Sequence, residues 1–235
     1  MIRSVLPDME WIEFALAMGV FLLSHRLPAA VGSKAFLTRT LGTKGYTALF
    51  SVVSLGLLWW VVAAAGRAPF VPVWDQLLWH RWVINLAMPA AILLGCFGVG
   101  AANPFAFEGR TSDFDPAHPG IAGVTRQPLL WALALWSGAH LLGNGDLAHI
   151  LLFAPFLMLS VAGMPMAEAR RRTAMGRTAW QNLTARTGLL PFSALITGRW
   201  RPKTLPSWHR LAIALVLWAG LWHLHLPAIG VWPGP

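Results

Sequence analysis

The chain has 235 residues, of which 56% are apolar and 11% charged, with fourteen Trp and a formal charge of +9. Ordinary soluble domains carry charge on about a quarter of their residues, so this composition excludes that class. The positive charge does not indicate nucleic acid, because the basic residues cluster between apolar stretches and are not interleaved with exposed aromatics.

Six stretches are apolar enough to enter lipid: Trp11–Leu27, Gly45–Ala65, Trp82–Ala102, Ile121–Leu142, Leu147–Gly163 and Trp208–Leu226. A helix crosses the hydrocarbon in roughly 20 residues, so the expected fold is an all-α integral membrane bundle of about six helices forming a single domain. The first stretch resembles a signal peptide only in its apolar core, Phe14 to Leu23. Asp8, Glu10 and Glu13 precede that core where a signal carries Lys or Arg, and His25-Arg26 intervene before Ala29-Ala30, so it reads as a retained span. In the fourth stretch Pro128 follows Arg126 and is an alternative start for the helix. Gly143-Asn144-Gly145-Asp146 then predicts a tight turn that makes the fourth and fifth spans antiparallel neighbours. Gly42, Gly66 and Pro residues at 28, 69, 72, 104, 206 and 227 punctuate the remainder, and Trp59, Trp60, Trp74, Trp79, Trp82, Trp208 and Trp232 fall near span ends. The lone thiol, Cys96, lies in an apolar run and allows no intrachain disulfide.

Basic residues sort by connection. The first holds Arg26, Lys34, Arg39 and Lys44, and the third holds Arg110 and Arg126. The fifth holds Arg170, Arg171, Arg172, Arg177, Arg186, Arg199, Arg201 and Lys203, with Arg210 just beyond; only Arg3, Arg67 and Arg81 fall on the other side. That asymmetry predicts odd-numbered connections in the cytoplasm and both termini on the non-cytoplasmic side of the plasma (inner) membrane. The fifth connection, Met164 to Ser207, is too long for a turn. Its Arg170-Arg171-Arg172 cluster reads as a positive-inside stop signal or an anionic-lipid contact. Leu189-Leu190-Pro191-Phe192 and Ala194-Leu195-Ile196 are apolar enough to dip into the interface.

This orientation assigns depths to the histidines. His25, His118 and His209 fall on the cytoplasmic side; His80, His140, His149, His223 and His225 fall on the other. An imidazole at such depth binds a metal, relays protons or simply bonds a backbone group. His80, His118 and His209 fit the last role. His140 stands apart, within an apolar helix beside Trp136 and ahead of a polar turn bearing Asn144 and Asp146. His223 and His225, two apart, point to different helical faces and cannot both face one metal. Asp146 either caps the fifth span or orients a histidine, capping being its simpler role. No H-E-x-x-H, C-x-x-C, paired Glu-x-x-His, Gly-rich nucleotide loop or Ser-His-acid arrangement occurs.

Several motifs carry a resemblance. Phe21-Leu22-Leu23-Ser24-His25 is followed by Leu41-Gly42-Thr43-Lys44-Gly45-Tyr46 and Leu49-Phe50-Ser51-Val52-Val53-Ser54-Leu55. Then come Gly123-Val124-Thr125-Arg126-Gln127-Pro128 and Trp136-Ser137-Gly138-Ala139-His140-Leu141-Leu142-Gly143-Asn144-Gly145-Asp146. Trp180-Gln181-Asn182-Leu183-Thr184, Pro191-Phe192-Ser193-Ala194 and Thr197-Gly198-Arg199 complete the set. In this order they resemble the NnrU family of membrane proteins, of which plant zeta-carotene isomerase is a relative. The resemblance implies a polytopic protein associated with denitrification and nitric-oxide metabolism. From the isomerase branch it implies haem b, with His25 and His140 in the positions of the haem histidines. Arg126 is then a candidate for a haem propionate, a lipid phosphate or a cytoplasmic anchor, with Trp136 and Asn144 as further cofactor contacts. The family's T-R-H-P reads Thr125-Arg126-Gln127-Pro128 here, which removes any role that needs a titrating imidazole at that position.

The predicted spans put His25 about 10 Å to one side of mid-membrane and His140 about 12 Å to the other. Two axial imidazoles hold their Cα atoms no more than roughly 13 Å apart. Either a span is displaced or one of the two is not a ligand, in which case His140 with His223 or His225 is the better pair by depth. Three functions follow. One is a haem protein, including a haem-dependent cis–trans isomerase of a carotenoid-like polyene entering from lipid. The second is a non-catalytic membrane factor of nitrogen-oxide respiration. The third is a membrane methyltransferase, against which Gln127 and the lack of a carboxylate-rich cofactor loop both weigh.

Overall fold

A computed structural model describes residues 6–30, 33–106 and 109–235; Arg3 lies outside them. The described residues form helices and no strand, with only two isolated bridges, Pro72 to Asp146 and Ala102 to Arg110. They fall into two compact units: the chain up to Asp75 together with Gly145–Leu152, and Gln76–Asn144 together with Phe153–Pro235.

In the first unit, α1 (Leu6–Ala30) and α2 (Ser33–Arg67) form an antiparallel hairpin. Gly42, at φ 71°, kinks α2 near its start. Phe14, Ala17 and Phe21 of α1 and Val61, Ala64 and Ala65 of α2 are buried. Small side chains let backbones approach closely where lipid offers no hydrophobic drive. At one end Glu13 takes Arg67 Nε and Trp60 Nε1, each at 3.2 Å. The segment after α2 meets the start of α6, where Val73 and Trp74 donate to Gly145 O at 2.8 and 3.1 Å and Leu147 donates to Val71 O at 2.9 Å.

The second unit is built on α3 (Leu78–Gly98), α5 (Pro128–Asn144), α6 (Leu147–Met175) beyond Leu152, and α9 (Trp208–Ile229). The expected third span is displaced toward the N-terminus. His80 Nδ1 accepts the Leu77 N–H at 3.2 Å and caps α3 four residues before Trp82. The far end of α3 is held by Arg210, whose Nη1 donates to Cys96, Phe97 and Val99 carbonyls at 2.6, 3.0 and 3.1 Å. A cation at that helix terminus also meets the negative end of the dipole. At the other end Asn85 Nδ2 donates to Pro233 O at 2.9 Å, so the C-terminal tail lies back on α3.

The expected fourth span is broken. Ile121–Val124 forms the short α4, Thr125 to Gln127 are non-helical, and α5 starts at Pro128. A proline at the first helical position forfeits no hydrogen bond there, which is why the helix starts at Pro128. The turn after α5 is tight: Gly145 adopts φ 70° and Asp146 caps α6. The two helices then run antiparallel, with Trp136 edge-on to Phe153 and Phe156 at 5.2 and 5.5 Å and Gly163 beside Leu130. The fifth span does not stop at Gly163 but continues to Met175, because Met, Ala, Glu and Arg propagate a helix. Arg170-Arg171-Arg172 therefore lie on α6, and the connection proper carries α7 (Arg177–Thr184) and α8 (Ser193–Ile196).

Among the described residues four helices are long and apolar enough to cross a membrane: α2, α3, α6 and α9. The count of about six is not reached on that measure. The break at Thr125 to Gln127 leaves α5 with 17 residues. The apolar outer faces, with Leu86, Leu215 and Val216 exposed, suit a lipid surround.

Candidate functional site

The most densely bonded polar cluster lies in the second unit, around the break between α4 and α5. Three connecting segments meet there. Asn103 folds the 103–106 turn by accepting the Phe105 N–H on Oδ1 at 3.2 Å, and its Nδ2 donates to Arg126 O at 3.0 Å. Thr125 Oγ1 donates to Leu189 O at 2.7 Å and accepts the Gln127 N–H at 3.2 Å. The Arg126 N–H donates to Gly188 O at 2.7 Å, Trp131 Nε1 to Leu189 O at 2.9 Å, and the Phe192 N–H to Val124 O at 2.9 Å. The non-helical stretch Thr125 to Gln127 thus satisfies its backbone through several partners, Ile121 O, Gly188 O, Thr125 Oγ1, Asn103 Nδ2 and the Trp131 N–H, the required outcome for buried peptide groups.

Arg126 lies at the centre. Its guanidinium makes a two-pronged pair with Glu168 of α6, Nη2 to Oε2 at 2.9 Å and Nε to Oε1. Nη1 reaches Thr187 Oγ1 at 3.1 Å, and the cation lies 5.6 Å from the Trp180 ring centre. The two charged side chains are 12% and 16% exposed. The guanidinium is thus committed to an internal carboxylate, and this partner, Glu168, was not singled out in the sequence. It carried a signal nonetheless: Glu168 is the one acid between Met164 and Ser207, among eight basic residues. Gln127 is buried; its Nε2 donates to Phe105 O at 2.9 Å, while Oε1 is the one buried side-chain atom without a partner among the described residues.

Gly123 is a close-approach position in the same cluster. A Cβ there would lie 2.5 Å from the Trp200 ring, so only glycine lets α4 pack on that indole. The neighbouring loop carries Asp115, which accepts from His118 Nδ1 and from the Ala117 N–H at 2.7 and 2.8 Å. The His118 bond, then the Ala117 N–H, hold the Asp115 carboxyl below the ordinary carboxylate range.

The histidines occupy separate places. His25, exposed near the end of α1 in the first unit, has Nδ1 2.8 Å from Phe21 O and its ring against Phe21 and Phe50, with centroids at 4.5 and 5.2 Å. A cavity of about 260 Å³ beside it is lined by Ser24, Leu37, Tyr46, Phe50 and Val53. His140, half-buried on α5 in the second unit, has Nδ1 2.9 Å from Trp136 O and lies beside the Trp136 and Phe153 rings. Asn144, at the end of α5, donates to His140 O at 2.7 Å and accepts from Gln76 Nε2 at 2.7 Å. A carbonyl only accepts, so in both histidines Nδ1 carries the proton and the neutral ring has its lone pair on Nε2. His225 shares this state through Val231 O at 2.7 Å, whereas His223 is exposed on α9. In His80 the acceptor is Nδ1, so its proton is on Nε2. His149 pairs with Asp146 at 2.7 Å while that carboxylate also caps α6, so Asp146 fills both of its expected roles. Among the described residues no three His, Cys, Asp or Glu side chains gather as a metal cage.

A comparison with family models matches residues 13–233 to the model described as NnrU protein. No curated protein and no solved structure matches.

Proposed function

This chain belongs to the NnrU family, and from that premise we propose that it is a haem b-binding membrane protein of nitrogen-oxide (denitrification) metabolism, with His140 and an α9 histidine as iron ligands. One observation carries the haem reading. The His140 ring donates Nδ1–H to the carbonyl four residues back in its own helix, the orientation that a second-shell carbonyl gives an imidazole ligating through Nε2. Haem held there would supply one-electron redox chemistry. Trp136 and Phe153 keep water from the His140 ring, and Asn144 fixes the carbonyl end of the same helical turn. Of the α9 histidines, His225 suits a ligand role better than His223 on the same criterion. Arg126, paired with Glu168, positions segments rather than reaching for a propionate.

The basic third and fifth connections bond to each other through Arg126, Thr125 and Phe192, which supports placing both in the cytoplasm. A second reading, cis–trans isomerisation of a polyene, draws on the cavity beside His25, whose walls are apolar apart from a few hydroxyls. Haem content of the detergent-purified protein tests the main reading. Wild type, His25→Ala and His223→Ala retain haem b, while His140→Ala and His225→Ala lose most of it; a wild type without haem, or variants that all keep it, overturns the assignment. Conversion of a cis polyene by the haem-loaded protein, lost in His25→Ala, decides for the isomerase.

A further inference from the structure

Between the buried cluster and α9 the chain exposes apolar side chains that a water-facing connection would hide. Ile196 is 81% exposed, Leu205 93% and Phe192 53%, with Leu190 beside them. The backbone sets up this display. Phe192 adopts φ 62°, a left-handed conformation that a bulky residue rarely takes, while its N–H is tied to Val124 O. Ala194 is buried, Trp200 donates its N–H to Ala194 O at 3.0 Å, and the Trp200 ring lies on Gly123, so the segment is clamped from beneath with its apolar residues outward. Exposed Arg199, Arg201 and Lys203 lie among these residues, and no acidic residue occurs between Gly188 and Ser207. Three residues after Leu205, α9 begins with the exposed Trp208 and enters its apolar run.

We propose that 190–205 is an interfacial element that seats on the anionic leaflet of the protein's own membrane. Phe192, Ile196 and Leu205 enter below the phosphates, and Arg199, Arg201 and Lys203 bind the phosphates themselves. An anionic phospholipid is the occupant because the apolar residues are rimmed by cations alone and are covalently continuous with a helix long and apolar enough to span. The same segment follows Gly188 and Leu189, whose carbonyls accept from Thr125, Arg126 and Trp131. Lipid contact therefore holds in place the strand of chain that closes the Arg126 cluster. This inference is independent of haem.

The test uses full-length protein with Cys96→Ala and a nitroxide on Ile196→Cys, or on Gln181→Cys of α7 as an aqueous reference, in nanodiscs with or without phosphatidylglycerol. The expected result is an oxygen-to-nickel collision ratio several-fold higher at 196 than at 181 with phosphatidylglycerol. Neutralising Arg199, Arg201 and Lys203 to Gln should lower that ratio, as should phosphatidylcholine alone. A water-like ratio at 196 in anionic nanodiscs overturns the proposal and marks the face as a site for a protein partner or a second copy. A high ratio indifferent to lipid charge and to the three Gln substitutions overturns the anionic recognition.

Discussion

The Arg126–Glu168 pair is the most consequential side-chain contact in the second unit, because both charges are nearly removed from solvent. Removing one partner of such a pair strands the other, at about 3–5 kcal/mol. Arg126→Ala and Glu168→Ala should therefore each destabilise by about that much, and the double variant by clearly less than the sum; a thermal-unfolding double-mutant cycle in detergent measures it, and additivity would refute the pairing. The pair was half legible in sequence. Arg126 stood out through its motif, but its partner lies 42 residues on, and only the lone acid in a basic connection hinted at it. Gln127 was legible as a departure from the family's histidine. Its burial and half-satisfied amide were not, because they depend on the 103–106 turn folding underneath it.

At the scale of elements, the α5–α6 corner was readable because glycine, asparagine and aspartate each have a local reason to be there. Gly145 needs a positive φ, and a Cβ would also meet Trp74 O at 2.4 Å. Gly145→Ala should cost about 1–3 kcal/mol, seen as a lowered melting temperature; an unchanged value would mean the corner relaxes freely. The loop at Asp115 responds to pH instead. Its carboxyl has a folded-state pKa below the ordinary value near ~3.9, so its contribution is present above that value and lost as pH falls through the lower one. Amide exchange across 111–120 should accelerate in that acid window relative to neighbouring helices, and equal protection on both sides of it would contradict the assignment. The break at Thr125 to Gln127 was only partly legible. Pro128 marked the helix start, but nothing local shows that the preceding residues bond the 187–192 segment. The extension of α6 beyond Gly163 was missed because span limits follow hydropathy, whereas a helix ends where its backbone bonding ends.

For the whole molecule, composition indicated an all-helical chain with helices apolar enough to cross a membrane, four of which are found among the described residues, and the family model spans nearly the entire chain. The expected sidedness rests on charge alone: fifteen basic residues accompany the odd connections and three the other side. A reporter fused to the C-terminus should be active as alkaline phosphatase and dark as green fluorescent protein; the reverse pattern would invert the topology. The tautomer of each histidine was not legible in sequence, since it depends on which ring nitrogen the backbone engages. The central claim is that the Nδ1-anchored ring of His140 binds iron. Low-temperature electron paramagnetic resonance of the ferric, haem-supplemented protein tests it most directly. A low-spin haem signal of imidazole ligation should be present in the wild type and disappear in His140→Ala, and the same signal surviving in that variant would contradict iron binding by His140.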